Sequence, residues 1–220
     1  LRACGFAQTI SAGVKVEYTP VSTAFESCTV WFYADGVLHK QVGCRGNAKV
    51  AIPKNEIPIL AVSLTGIYVN PADAAFPGSI DYSGFIAPRA ISYVNTPTFS
   101  LHGAACVMRT LDVDMDNAVV YRDLVGAQDV NLTGRKPRGR VSIEAAAIAT
   151  KDWYAAERGE GTAALSFVHG TVAGRIVEFA APAVQVLSVD YAEEDGILYQ
   201  DLELNVAEVV GDDEFKIICR

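Results

Sequence analysis

Most of this chain alternates apolar and polar residues in short runs, the period-2 pattern of half-buried β-strands. Over residues 13–20, Val14, Val16 and Tyr18 alternate with Lys15 and Glu17. Residues 28–34, then Asp35-Gly36, then residues 37–42 read as a hairpin, because the two central residues of such a turn need positive φ. Trp31 and Tyr33 fall on one face and Val30 and Phe32 on the other, so both faces are expected to be covered. Gly43 and Gly46 punctuate a turn, residues 48–52 continue the meander, and residues 57–69 form a long strand bent at Gly66. Further strands are expected at 99–105, 105–115, 119–124, 127–132 and 163–169, with 141–148 a strand or a strand running into a helix. The last third holds runs at 174–179 and 182–189, a Glu194-Asp195-Gly196 turn, and a strand from 197 to 210 in which Leu202, Leu204 and Val206 alternate with Glu203, Asn205 and Ala207. An acidic tip, Gly211-Asp212-Asp213-Glu214, and a closing strand at 215–219 follow.

Two segments break the pattern. Residues 150–159 form the one convincing helix, capped by Thr150, with Trp153, Ala156 and Glu157 on one face and Gly159 at its end. Residues 70–97, with Pro71, Pro77, Pro88 and Pro97 (Pro58 lies just upstream), read as an extended loop or arm. Phe76, Tyr82, Phe85, Ile86, Ile91 and Tyr93 are interleaved through it, and an ordered loop with apolar anchors docks on its own surface or on a neighbour.

At 220 residues the chain is one large β domain or two small ones. No apolar run approaches the roughly 20 residues of a membrane span, and no signal or transit segment is visible. The five cysteines, Cys4, Cys28, Cys44, Cys106 and Cys219, lack disulfide-framework or zinc spacing and read as free thiols of a reducing compartment. The net charge of −8 argues against a protein that grips phosphates. Its distribution adds more. Residues 1–140 carry 13 Lys and Arg against 11 Asp and Glu, a net of +2, and residues 141–220 carry 5 against 15, a net of −10. Such polarity suits head-to-tail self-contact, although a need for solubility accounts for it equally well.

Candidate chemistry is sparse. Asp112, Asp114 and Asp116, with Asp123 further on, imitate a calcium loop, but Asn117 stands where that loop needs Gly, and no helices flank it. The better reading is a strand with Leu111, Val113 and Met115 inward and the three aspartates outward. His39, His102 and His169 are scattered, outside any metalloprotease or triad context. Arg135, Lys136, Arg138 and Arg140 mark a basic loop over 134–140, suited to solvent, to an acidic neighbour or to phosphate. Asn131-Leu132-Thr133 matches a glycosylation acceptor by pattern alone. No catalytic residue, metal ligand or cofactor site is expected.

Several stretches, in order, resemble the tail tube proteins of long-tailed bacteriophages, in particular those with flexible, non-contractile tails. They are Tyr18-Thr19-Pro20-Val21-Ser22, the 28–32 strand with Asp35-Gly36, Gly43-Cys44-Arg45-Gly46-Asn47 and Leu64-Thr65-Gly66-Ile67-Tyr68 ahead of the Pro-rich arm. Gly174-Arg175-Ile176-Val177-Glu178-Phe179, Ala181-Pro182-Ala183-Val184-Gln185, Asp195-Gly196-Ile197 and Gly211-Asp212-Asp213-Glu214-Phe215 complete the set. Arg175 departs from the pattern, since such proteins often carry Asn after that Gly.

The resemblance implies a mainly β fold, a β-sandwich or barrel with one short flanking helix, as a single tail-tube domain over 1–220 with an arm at about 70–97. It also implies a short segment preceding Leu1. Subunits would form hexameric rings, stacked head to tail, whose inner sheets join into one ring-wide β-barrel around a channel for genomic DNA. Implied partners are other copies of the chain, the tape measure, the tail terminator and distal tail proteins, with no membrane, in a virion made in the host bacterial cytoplasm. Asp112, Asp114 and Asp116, then Asp190 and Glu193, are expected to face the channel. Phe76, Tyr82, Phe85, Arg135, Lys136, Arg138, Arg140, Asp212 and Asp213 are expected at contacts between subunits or rings. The competing reading is a β-sandwich virion module that binds a receptor or glycan.

Overall fold

Both Asp-Gly turns form as the pattern requires. Asp35 and Gly36 take φ of 44° and 84°, and Asp195 and Gly196 take 54° and 78°, the left-handed pair that matches the twist of a two-residue hairpin. Around them, the computed structural model, which describes residues 1–220, places 58% of the chain in strands and 4% in helix. After a 3-10 turn at Arg2–Cys4, the strands are β1 (Phe6–Ser11), β2 (Lys15–Pro20), β3 (Cys28–Ala34), β4 (Val37–Ile52), β5 (Ile59–Asp73), β6 (Thr98–Leu101), β7 (Ala104–Ala105) and β8 (Met108–Asp114). Then come β9 (Asn117–Leu124), β10 (Ala127–Arg135), β11 (Arg138–Glu144), the helix α1 (Trp153–Arg158), β12 (Thr162–His169), β13 (Val177–Glu194), β14 (Ile197–Ala207) and β15 (Lys216–Cys219). No helix is long and apolar enough to cross a membrane.

Thirteen strands make one antiparallel sheet, and the β9–β10 hairpin stands apart as a second. The main path runs β7–β6–β12–β13–β14–β11–β8–β4–β5. Strands β15, β2 and β1 branch from the first residues of β13, and β3 pairs with the first part of β4. A single cluster of 24 buried residues forms the core. Leu111, Val113 and Met115 enter it from β8 and its end, Val141 and Ile143 from β11, Leu202, Leu204 and Val206 from β14, and Trp153 from α1. The inward set expected on β8 is therefore the observed one.

The strands are longer than the sequence pattern suggests. Residues 174–179 and 182–189 merge into β13, which continues through Pro182. Proline cannot donate to a ladder and is confined to edges and bulges. Pro182 lies where β13 passes from β15, paired up to Ala180, to β14, paired from Ala183, and within a register shift against β12. The Gly43–Gly46 stretch is likewise a bulge inside continuous β4, with register shifts against both β3 and β5. A Cβ on Gly46 would stand 1.8 Å from the Ser63 carbonyl oxygen, so the β4–β5 backbones meet there because no side chain intervenes.

Other expectations need correction. Residues 134–140 are not a loop: Arg135 ends β10 and Arg138 and Arg140 lie on β11, leaving Lys136 and Pro137 as the connection. The helix is capped by Asp152, whose carboxylate accepts from the Ala155 N–H at 2.8 Å, rather than by Thr150. Strand β3 is covered on neither face, with Trp31 53% and Phe32 64% exposed. Strand β1 had no expectation at all, since Phe6–Ser11 offers only a weak alternation. The irregular arm begins after Asp73, because β5 runs through Pro71 at the outer edge of the sheet.

Candidate assembly and channel surfaces

Directly paired residues of neighbouring strands share a face, so the register defines one polar face of the sheet. Across it run Lys49, Asp114, Arg138, Asn205 and Gln185 in one row, and Ala51, Asp112, Arg140, Glu203 and Ser188 in the next. Ser142, Asp201 and Asp190 form a third. Asp112, Asp114 and Asp190 are thus brought together. Asp116 is not: it sits past the end of β8 in a left-handed turn with φ 48°, where its N–H bonds to the Asp114 carboxylate at 2.8 Å. Glu193 pairs with Leu198, on the face opposite to Asp190.

The acidic row is compensated in part. Lys49, Arg138 and Arg140 are interleaved with Asp112, Asp114, Asp190, Asp201 and Glu203, a net of −2 for these three rows. Arg140 meets Asp201 at 3.2 Å, and Asn47 donates to Asp114 at 2.6 Å. At one end of this face Glu194 accepts from Lys54 at 2.9 Å and from Arg109 at 3.0 Å, and these bonds hold its carboxyl below the usual range.

The remaining basic and acidic residues divide by partner. Arg135 is enclosed within its own subunit. It pairs with Glu214 at 2.7 Å and Asp212 at 2.6 Å, and donates to the Val21 carbonyl at 2.6 Å. Burial opposes ionisation of Asp212, but hydrogen bonds from Ser22 and Arg135 outweigh it, and its pKa lies below the ordinary value. Asp213 accepts from the Val209 and Val210 N–H groups, which holds its pKa down. Lys136 and Arg138 stay exposed.

The arm stands outward. Phe76 is 62%, Tyr82 65% and Phe85 80% exposed, while Ile91 is buried. Its ends are fixed: the Ala74 N–H bonds to the Gly36 carbonyl, Phe76 packs edge-on against Tyr33 with ring centroids 5.7 Å apart, and the Ile91 N–H bonds to the Glu56 carbonyl. His169 secures the far end, Nδ1 meeting the Thr96 hydroxyl at 3.0 Å and Nε2 the Arg89 carbonyl at 3.2 Å. Burial pushes the His169 pKa down, favouring the neutral ring. Sequence reasoning left His169 unassigned, because its partners are 73 and 80 residues away.

The least satisfied element is β5. All its ladder partners are on β4, so its other edge is open along the whole of Ile59–Asp73. Ile59, Leu60, Val62 and Tyr68 on it are all exposed. The subunit as a whole is also short of cover. It exposes 12629 Å², where a folded monomer of its mass exposes about 9,800 Å². An open edge of this length with apolar side chains is an aggregation hazard unless something completes it.

The fold is therefore mainly β, with an unfinished edge along β5. The chain belongs to the phage tail tube protein family, whose match spans residues 3–206. It is a structural component of a bacteriophage tail. None of the curated proteins matches it.

Proposed function

We propose that copies of this subunit close into hexameric rings, stacked head to tail into the tube through which DNA is ejected. The observation that carries this reading is the unpaired β5 edge on a subunit with excess exposed surface. A neighbour's strand added to such an edge satisfies its N–H and C=O groups and covers its apolar side chains. A head-to-tail contact that closes makes a ring, and the ring's two different faces then propagate the tube. The whole chain acts as one tail-tube unit, and its inner sheets join into the ring-wide barrel.

The polar face carrying Asp112, Asp114 and Asp190 turns to the lumen. Its net negative charge repels phosphates, and its Arg140 is occupied by Asp201, so DNA slides past. Phe76, Tyr82 and Phe85 of the arm, with Lys136 and Arg138, meet neighbouring subunits. The tape measure, tail terminator and distal tail proteins complete the tail, which is built in the host bacterial cytoplasm. Negative-stain microscopy of the purified chain tests this: six-fold rings or tubes are expected. A dispersed monomer or trimer at every concentration would instead support a receptor- or glycan-binding module.

A further inference from the structure

Cys28 of β3 and Cys44 of β4 are direct cross-strand partners. Residues opposite one another in an antiparallel pair have Cα atoms roughly 4.5–5.5 Å apart, which lies within the roughly 4.4–6.8 Å span of a disulfide. Cys44 is completely buried and Cys28 half-buried, and both are free thiols. The Cys44 sulfur occupies room left by a missing side chain, since a Cβ on Gly66 would lie 2.4 Å from its Sγ. Their position matters. The pair sits at the bulge where β4 shifts register against β3 and β5, at the root of the exposed aromatic strands that lead into the arm.

We infer that Cys28 and Cys44 are an oxidative modification site, closing into a cross-strand disulfide once the protein leaves a reducing compartment and meets a low-molecular-weight disulfide. Cys28, the more accessible thiol, loses its proton and attacks one sulfur of the small disulfide. That S–S bond breaks and one small thiolate leaves. Cys44 then loses its proton and attacks the Cys28 sulfur, forming the cross-strand bond and expelling the second small thiolate. The two protein thiols are oxidised, the small disulfide is reduced to two thiols, and the two protons balance the leaving thiolates. Burial pushes the Cys44 thiol up, so it is a poor first nucleophile for a reagent in solution and reacts only through its neighbour. The third nearby thiol, Cys4, is completely buried and also raised, chiefly by burial. The bond fixes β3 in register at the bulge and stiffens the root of the strands that carry the arm.

The test exposes the full-length purified protein, reduced and then freed of reductant, to oxidised glutathione, followed by alkylation and non-reducing peptide mapping. The expected product is lighter by two hydrogen atoms, with one linked peptide joining Cys28 to Cys44, and melts several degrees higher than the reduced form. The same mapping on Cys4→Ser gives the same link. Cys44→Ser, expected to fold because serine is no larger, retains glutathione on Cys28. Alkylation of both Cys28 and Cys44 after exposure, or a link from Cys28 to Cys4, would overturn the assignment.

Discussion

Arg135 and Glu214 form a two-point ion pair: the guanidinium Nε donates to Oε1 at 2.7 Å and Nη2 to Oε2 at 3.1 Å. Their side chains are only 11% and 8% exposed, and they join the end of β10 to the segment just before β15.

Breaking that pair from one side strands a buried charge. Arg135→Met is expected to destabilise the subunit by about 3 kcal/mol, because Glu214, itself only 8% exposed, loses its partner. Urea unfolding of the two proteins checks this. Adding Glu214→Leu should recover most of the loss, since the buried carboxylate is then gone and Asp212, the other partner of Arg135, is 43% exposed.

Mild acid should loosen the subunit through His102. Its ring lies 5.9 Å from that of Trp153 and meets the Val184 carbonyl through Nε2 at 2.6 Å, and burial depresses its pKa, with the nearby Lys151 charge acting the same way. The unfolded chain therefore binds the proton more readily than the folded one. The stability is fully present above the unfolded value of about 6.5 and is lost as pH falls through the lower folded value. Melting temperature measured from pH 7.5 downward should show this loss. It should be smaller in His102→Asn, a residue that tolerates the positive φ of 51° at this turn. His169, depressed in the same way, accounts for what remains.

Gly46→Ala should be among the most damaging single-methyl changes in the chain. Its Cβ would collide with the Ser63 backbone oxygen, so β4 and β5 must separate. A loss of roughly 3 kcal/mol, or about 6–12 °C in melting temperature, is expected. Calorimetry against an alanine at Gly134, where nothing lies within 4 Å, provides the comparison.

The sequence made local structure legible and long-range structure less so. The Asp35-Gly36 and Asp195-Gly196 hairpins and the inward set Leu111, Val113 and Met115 follow from turn chemistry and period-2 burial, which a few residues specify. Pro182 and Gly43 read locally as breaks, yet both sit inside strands, because partners distant in sequence place a bulge or a change of neighbour there. The acidic residues show the same limit at the candidate site. Asp112, Asp114 and Asp190 share a face, while Asp116 and Glu193 leave it through a turn and through register. The arginines that compensate the acidic row lie on a different strand, so their spacing in the chain gives no sign of the pairing.

If the polar face lines the lumen, its charge governs DNA passage more than assembly. Asp190→Lys with Glu203→Lys, both exposed, would turn its three rows from a net of −2 to +2. Rings and tubes should form as before. Phages carrying the change should eject DNA roughly tenfold more slowly at low salt, with the difference shrinking as salt rises. Ejection followed by fluorescence would show it, and loss of tubes would place these residues at a contact between subunits instead.

Amide hydrogen exchange along β5, compared below and above the concentration at which tubes form, bears most directly on the idea of an unfinished edge. The N–H groups of Ile59–Asp73 that face away from β4 should exchange freely in the dispersed subunit and become protected by orders of magnitude in the tube. Equally rapid exchange of those amides in fully assembled tubes would contradict the account, because no neighbouring strand would then be completing the sheet.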